Sequence, residues 1–167
     1  MRVLQLRGKS IVGVGAAGAV ALGISLAGAP AAHAGPSWSE LQYCTLGAVD
    51  CAYGNDAANW ASSITQWRYQ DYGPKAFHGG IADAYRHCTW GAALAQRVGE
   101  DRAMTLLTVH ELDASDGDDH VQMDMENDRT GVSIGARANS RGGSDTWGWI
   151  MKQCAAQADS GQLTTLW

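Results

Sequence analysis

Basic side chains are scarce in this chain. Twelve Lys and Arg stand against 17 Asp and Glu among 167 residues. Three of the twelve, Arg2, Arg7 and Lys9, precede the first apolar run; without them nine basic side chains face 17 acidic ones, a net charge of −8. A surface of that sign argues against nucleic acid as a partner and against adhesion to anionic membranes through charge. No second long hydrophobic run follows residue 29, so a stable membrane span is not expected in the body of the chain. There is no C-x-x-C pair, which argues against a thiolate zinc centre. G-x-S-x-G, H-E-x-x-H, the P-loop and G-x-G-x-x-G are all missing, so the familiar routes to a serine hydrolase, a zinc protease or a nucleotide enzyme are closed. Internal repeats, low-complexity tracts and alternating strand patterns are missing too.

What is present begins with an export signal. Arg2, Arg7 and Lys9 precede an apolar run from Ile11 to Ala29, and Ala32-His33-Ala34 supplies the small-x-small rule for cleavage after Ala34. Residues 1–34 read as a signal peptide and 35–167 as one secreted domain of 133 residues, long enough for a real core. Its four cysteines, Cys44, Cys51, Cys88 and Cys154, suit an oxidising compartment and two disulfides. Of three pairings, Cys44–Cys51 with Cys88–Cys154 is preferred, because the first closes a short local loop and the second ties a central helix to the C-terminal one.

The fold class is all-α: about five helices in a compact orthogonal bundle stapled by two disulfides, expected to be a monomer. Residues 35–50 read as loop. A helix over 57–69 has Trp60, Ile64 and Trp67 as its buried face; further helices follow over 81–98, 101–112 (with Met104, Leu107 and Leu112 apolar), 121–138 and 145–158. The acidic stretch 113–119 lacks calcium-loop spacing and reads as a solvated loop. The tail 162–167 is apolar enough to pack back on the body.

Two stripes carry the chemistry. Asp83, Arg86, His87 and Trp90 lie at i, i+3, i+4 and i+7 on one side of the central helix. Asp124, Asn127, Asp128 and Gly131 repeat that spacing on a second helix, and His110-Glu111 lies between them in sequence. Polar groups in a packed helix are costly, about 1–3 kcal/mol each when unpaired, so the stripes point to a polar site. The expected catalytic group is His87, His110, Glu111 and Asp124, with His87 as acid or base oriented by Asp124 or Glu111. Asp83, Arg86, Trp90, Asn127 and Asp128 would bind substrate: Arg86 an anionic oxygen, Asn127 developing charge, Trp90 an apolar wall. A variant uses His87, His110, Glu111 and Asp124 to hold a divalent metal ion.

The strings DAYRHCTW, HE and MDMENDRTG resemble a family of small exported bacterial domains of unknown function, with the pattern (N/D)-A-x-R-H-x-x-W, H-E, M-D-x-x-N-N-x-x-G-R. That family is similar to prokaryotic Wnt-like domains of the lipocone superfamily. The resemblance spans about residues 80–135 and implies an inward-facing polar site acting on lipids, lipid head groups or envelope polymers. It carries onto Asp83, Arg86, His87, Trp90, His110, Glu111, Asp124 and Asn127. Asp128 stands where the second Asn is usual, and Val132 where the Arg is usual. The leading expectation is a secreted hydrolase or head-group transferase acting on an ester or phosphoester of a lipid or cell-envelope substrate. The alternative is a non-catalytic lipid- or glycan-binding or effector domain.

Overall fold

Ala84, Cys88, Ala92 and Ala95 recur at helical spacing and are small enough for other helices to come close on that side. They make the helix Ile81–Val98 the one around which the others pack. A computed structural model describes residues 38–112 and 117–167; the signal-peptide reading of 1–34 and residues 113–116 of the acidic loop lie outside the described residues. In chain order the helices are α1 (Trp38–Leu46), α2 (Ala48–Arg68), α3 (Ile81–Val98), α4 (Glu100–Glu111), α5 (Asp118–Arg141) and α6 (Thr146–Asp159), with a 3₁₀ turn at Pro74–Phe77 between α2 and α3. Among the described residues there are six helices and no strands, and no helix is long and apolar enough to cross a membrane. α3 touches α2, α4, α5 and α6, and its most extensive partner is α5.

That closest pairing depends on glycine. A Cβ on Gly131 would strike the carbonyl of Cys88, and one on Gly135 would strike that of Ala92. α5 therefore lies almost backbone to backbone on α3, which brings the two polar stripes face to face.

The disulfides are Cys44–Cys51 and Cys88–Cys154, as the spacing suggested. The second closes a long loop and fixes α3 to α6, worth about 4 kcal/mol in the chain-entropy account. Both are consistent with an extracellular protein.

Three local expectations change. Residues 38–46 form α1 instead of loop, and α2 starts at Ala48, nine residues before the expected start. The buried face of α2 is Asp50, Gly54, Ala57, Ala61 and Thr65, while Trp67 is 70% exposed. Small residues win that face because they allow close approach to α3. Trp60 packs at the edge against Trp147, ring centroids 4.7 Å apart. In α4 the inward residues are Ala103, Leu106, Leu107 and Glu111, and Leu112 turns out to solvent.

Candidate active site

α3 contributes Asp83, Arg86, His87 and Trp90 to the seam, and α5 contributes Asp124 and Asp128. Asp83 and His87 are one helical turn apart, as are Asp124 and Asp128, so two carboxylates of α5 face one imidazole of α3. His87 is buried, with its side chain 3% exposed. Its Nδ1 lies 3.2 Å from Oδ1 of Asp128, which is fully buried. Its Nε2 lies 3.1 Å from Nη2 of Arg86, 3.4 Å from Oδ1 of Asp124 and 4.0 Å from Oδ1 of Asp83. A guanidinium only donates. Nε2 therefore accepts from Arg86, and the proton of the neutral ring belongs on Nδ1, donated to Asp128. This tautomer is assigned from the hydrogen-bond network.

Asp83 is held at both oxygens. Oδ2 accepts from the Gly79 backbone N–H at 2.8 Å, and Oδ1 accepts from Arg86 Nη2 at 2.5 Å. Arg86 is the solvent-side member, its side chain 31% exposed, and Asp124 follows at 13%. These two form the solvent-side rim of the cluster. Oδ1 of Asp124, Oδ2 of Asp128 and Nε of Arg86 are buried without a hydrogen-bond partner.

Four carboxyls (Asp83, Glu111, Asp124 and Asp128) share this interior with one guanidinium, and burial dominates the protonation of Glu111, Asp124 and Asp128. Burial pushes Asp124 up to about 7, with the charges of Asp83, Glu111 and Asp128 adding to it and His87 opposing. Burial raises Asp128 well above the usual carboxylate range, against the pull of His110, Arg86 and Arg129. Burial also raises Glu111. For His87 burial lowers the value, and the Arg86 charge works in the same direction against Asp124, Asp83 and Glu111. The imidazole is thus held neutral while a carboxyl beside it is held as an acid near neutrality, the reverse of their order in water.

Of the residues singled out by spacing, Asp83, Arg86, His87, Glu111, Asp124 and Asp128 come together. Trp90 forms a wall, its ring centroid 5.9 Å from that of His87, and its Nε1 donates to the Gly54 carbonyl at 3.0 Å. His110 lies beyond that wall, edge-on to Trp90 with centroids 4.8 Å apart, and its Nδ1 meets Glu40 of α1 at 3.1 Å. Burial works to lower His110, but the bond to Glu40 and the charges of Glu111, Glu40 and Asp128 outweigh it and raise the net value. Asn127 sits on the seam but turns its amide to the C-terminal tail. Nδ2 donates to the Thr164 carbonyl at 2.9 Å, and Oδ1 accepts from the Thr164 N–H at 3.0 Å. Gly79, Thr164 and Glu40 carry no signal in the sequence, since two of them act through backbone groups.

Two sets of side chains are close enough to share a cation among the described residues: Asp83, His87 and Asp124, and His87, Glu111 and Asp128, with ligand atoms within 4.8 Å of one another in each. His110 belongs to neither, so the expected metal set is regrouped around Asp83 and Asp128. In the first set Nη2 of Arg86 already bonds both Asp83 and His87, and supplies a positive charge there.

Residues 42–162 match a family described as a domain of unknown function, DUF6973. No curated protein and no solved structure matches the chain.

Proposed function

The chain belongs to the DUF6973 family of domains of unknown function; taking that as the premise, we propose from the cluster itself that this is a secreted hydrolase or head-group transferase acting on an ester or phosphoester of a lipid or cell-envelope substrate. The observation that carries the reading is the hydrogen bond from His87 Nδ1 to the fully buried Asp128. It leaves the Nε2 lone pair facing the rim, the arrangement of a base oriented by a buried carboxyl group. The orienting acid in this reading is Asp128, not Asp124 or Glu111.

Arg86 binds an anionic oxygen of the substrate by swinging its guanidinium from Nε2 toward the rim, which frees the lone pair. Water, or an acceptor hydroxyl in a transfer reaction, then attacks the carbonyl carbon or phosphorus, and His87 Nε2 takes its proton. Asp124, held protonated near neutrality, gives its proton to the leaving oxygen. The proton on Nε2 crosses to Asp124, 3.4 Å away, and restores both groups. Trp90 backs the imidazole with an apolar wall. The choice of a lipid or envelope substrate rests on reading residues 1–34 as an export signal and on the similarity to Wnt-like domains of the lipocone superfamily of the family that the R-H, H-E and M-D-x-x-N strings resemble.

The test is product release from a panel of phospholipids and polyprenyl-phosphate lipids, with His87→Gln and Asp128→Asn beside the unaltered protein and with chelator present or absent. Loss of about 10³-fold in His87→Gln and about 10²-fold or more in Asp128→Asn is expected, with activity surviving chelation. Turnover equal in all three proteins contradicts the reading. Saturable binding without turnover favours the non-catalytic lipid- or glycan-binding alternative.

A further inference from the structure

The last five residues follow the end of α6 and lie against α5 and the loop before α3. Leu163 is buried in the core packed around α3 and α6. Thr164 is tied three times: its N–H and carbonyl to Asn127, and its hydroxyl to Glu126 at 2.7 Å. The Leu166 N–H donates to the Gly79 carbonyl at 2.8 Å, and the indole N–H of Trp167 to the Lys75 carbonyl at 3.0 Å. Gly79 has φ of +76°, and a Cβ there would run into Trp167 and His120, so the loop is shaped around the tail.

One chain of hydrogen bonds runs from this segment to the imidazole. Leu166 bonds the Gly79 carbonyl, the Gly79 N–H bonds Asp83, Arg86 bonds Asp83, and Arg86 also bonds His87. At its other end the segment occupies both polar atoms of Asn127, one turn from Asp124. Apart from Leu163 and the edge-on contact of Trp167 with His120, ring centroids 5.9 Å apart, the ties are polar and lie near the surface, and Trp167 is 58% exposed. Segments held this way open at low free energy compared with the core. The family match stops at residue 162, just before the segment begins.

We propose that residues 163–167 are a strap that closes the Asp83–Asn127 end of the His87 cluster and opens to admit substrate, with Asn127 as its latch. Closed, the Asn127 side chain reads a peptide group in cis. Open, that amide is free to meet the substrate's polar head. The proposal rests on reading the His87 cluster as the reaction site.

The test is the rate of ethoxycarbonylation of each histidine by diethyl pyrocarbonate, read by mass spectrometry on the full chain, on Thr164→Val, and on a chain ending at Gln162. His87 is expected to react about threefold faster in Thr164→Val and about tenfold faster in the shortened chain, while His110, held by Glu40 beyond Trp90, is unchanged. A synthetic Leu-Thr-Thr-Leu-Trp peptide added to the shortened chain should restore protection. If the shortened chain does not fold, Thr164→Val with amide exchange at Leu166 decides the matter. Loss of Leu166 protection with His87 still as slow as in the unaltered protein overturns the strap. His87 reactivity that rises as expected, with no turnover on any lipid, keeps the strap and defeats the esterase reading.

Discussion

At Nδ1 the imidazole of His87 meets Asp128, and at Nε2 it meets Arg86 and the Asp124 carboxyl. Each contact alone has an ordinary structural use. A buried histidine commonly bonds a carboxylate, and an Asp–Arg pair at i, i+3 is worth only a few tenths of a kcal/mol. What is unusual is the surplus: four carboxyls around one neutral ring, with Oδ1 of Asp124 and Oδ2 of Asp128 lacking any hydrogen bond. Such groups are costly to keep in an interior. Burial holds His87 below its ordinary 6.5, so the folded chain releases a proton that the unfolded chain still carries. Its contribution to stability is therefore lost as pH falls below 6.5. Long-range proton–nitrogen spectra of histidine-labelled protein check this directly. They should show His87 neutral with its proton on Nδ1 at about pH 6, where an exposed histidine is largely charged. A proton on Nε2 with Nδ1 bare would mean that Asp128 does not orient the ring, and a charged ring at that pH would mean that burial does not hold it neutral.

Helices α3 and α5 were legible from spacing, because a polar stripe at i, i+3, i+4 and i+7 betrays itself wherever the opposite face is Ala, Cys and Gly. Their close contact predicts that Gly131→Ala destabilises the protein by about 3 kcal/mol, since the added methyl meets the Cys88 backbone and not a flexible side chain. Thermal or urea unfolding measures it, and a loss under about 0.5 kcal/mol would mean that the helices separate cheaply. α1 was not legible. Its sequence WSELQYCTL buries no residue, and the helix is held by the Cys44–Cys51 bond and by Glu40 to His110. The outward turns of Trp67 and Leu112 escaped notice for a related reason. Apolar spacing ranks residues by hydrophobicity, whereas α2 packs by its smallest residues, Gly54, Ala57 and Ala61. The strap was visible only as an apolar tail, because its ties run through the backbone of Thr164 and Leu166, and no side-chain pattern encodes them.

As a whole the molecule is an acidic helical body, stapled twice, that spends part of its stability on a polar interior. Packing and the long-range disulfide supply the margin for that expense. Asp124 gives the clearest measure of it. Its folded value of about 7 stands above the ordinary 3.8, so between those values the folded chain holds a proton that the unfolded chain has released. Stability therefore falls as pH rises through that window and stays reduced above it, by ~4 kcal/mol at most. Asp124→Asn removes this penalty and, by removing a charge that helps to keep a proton on His87, deepens the loss of stability that His87 brings at low pH. The measurement that tests the account most directly is the unfolding free energy of Asp124→Asn against the unaltered protein at about pH 8 and about pH 4. A chain more stable by about 1–3 kcal/mol at the higher pH, with the gain fading toward the lower, is expected if the carboxyl is kept for chemistry. A variant less stable than the unaltered protein at about pH 8 would contradict it, and would make Asp124 a structural partner of His87 and Arg86.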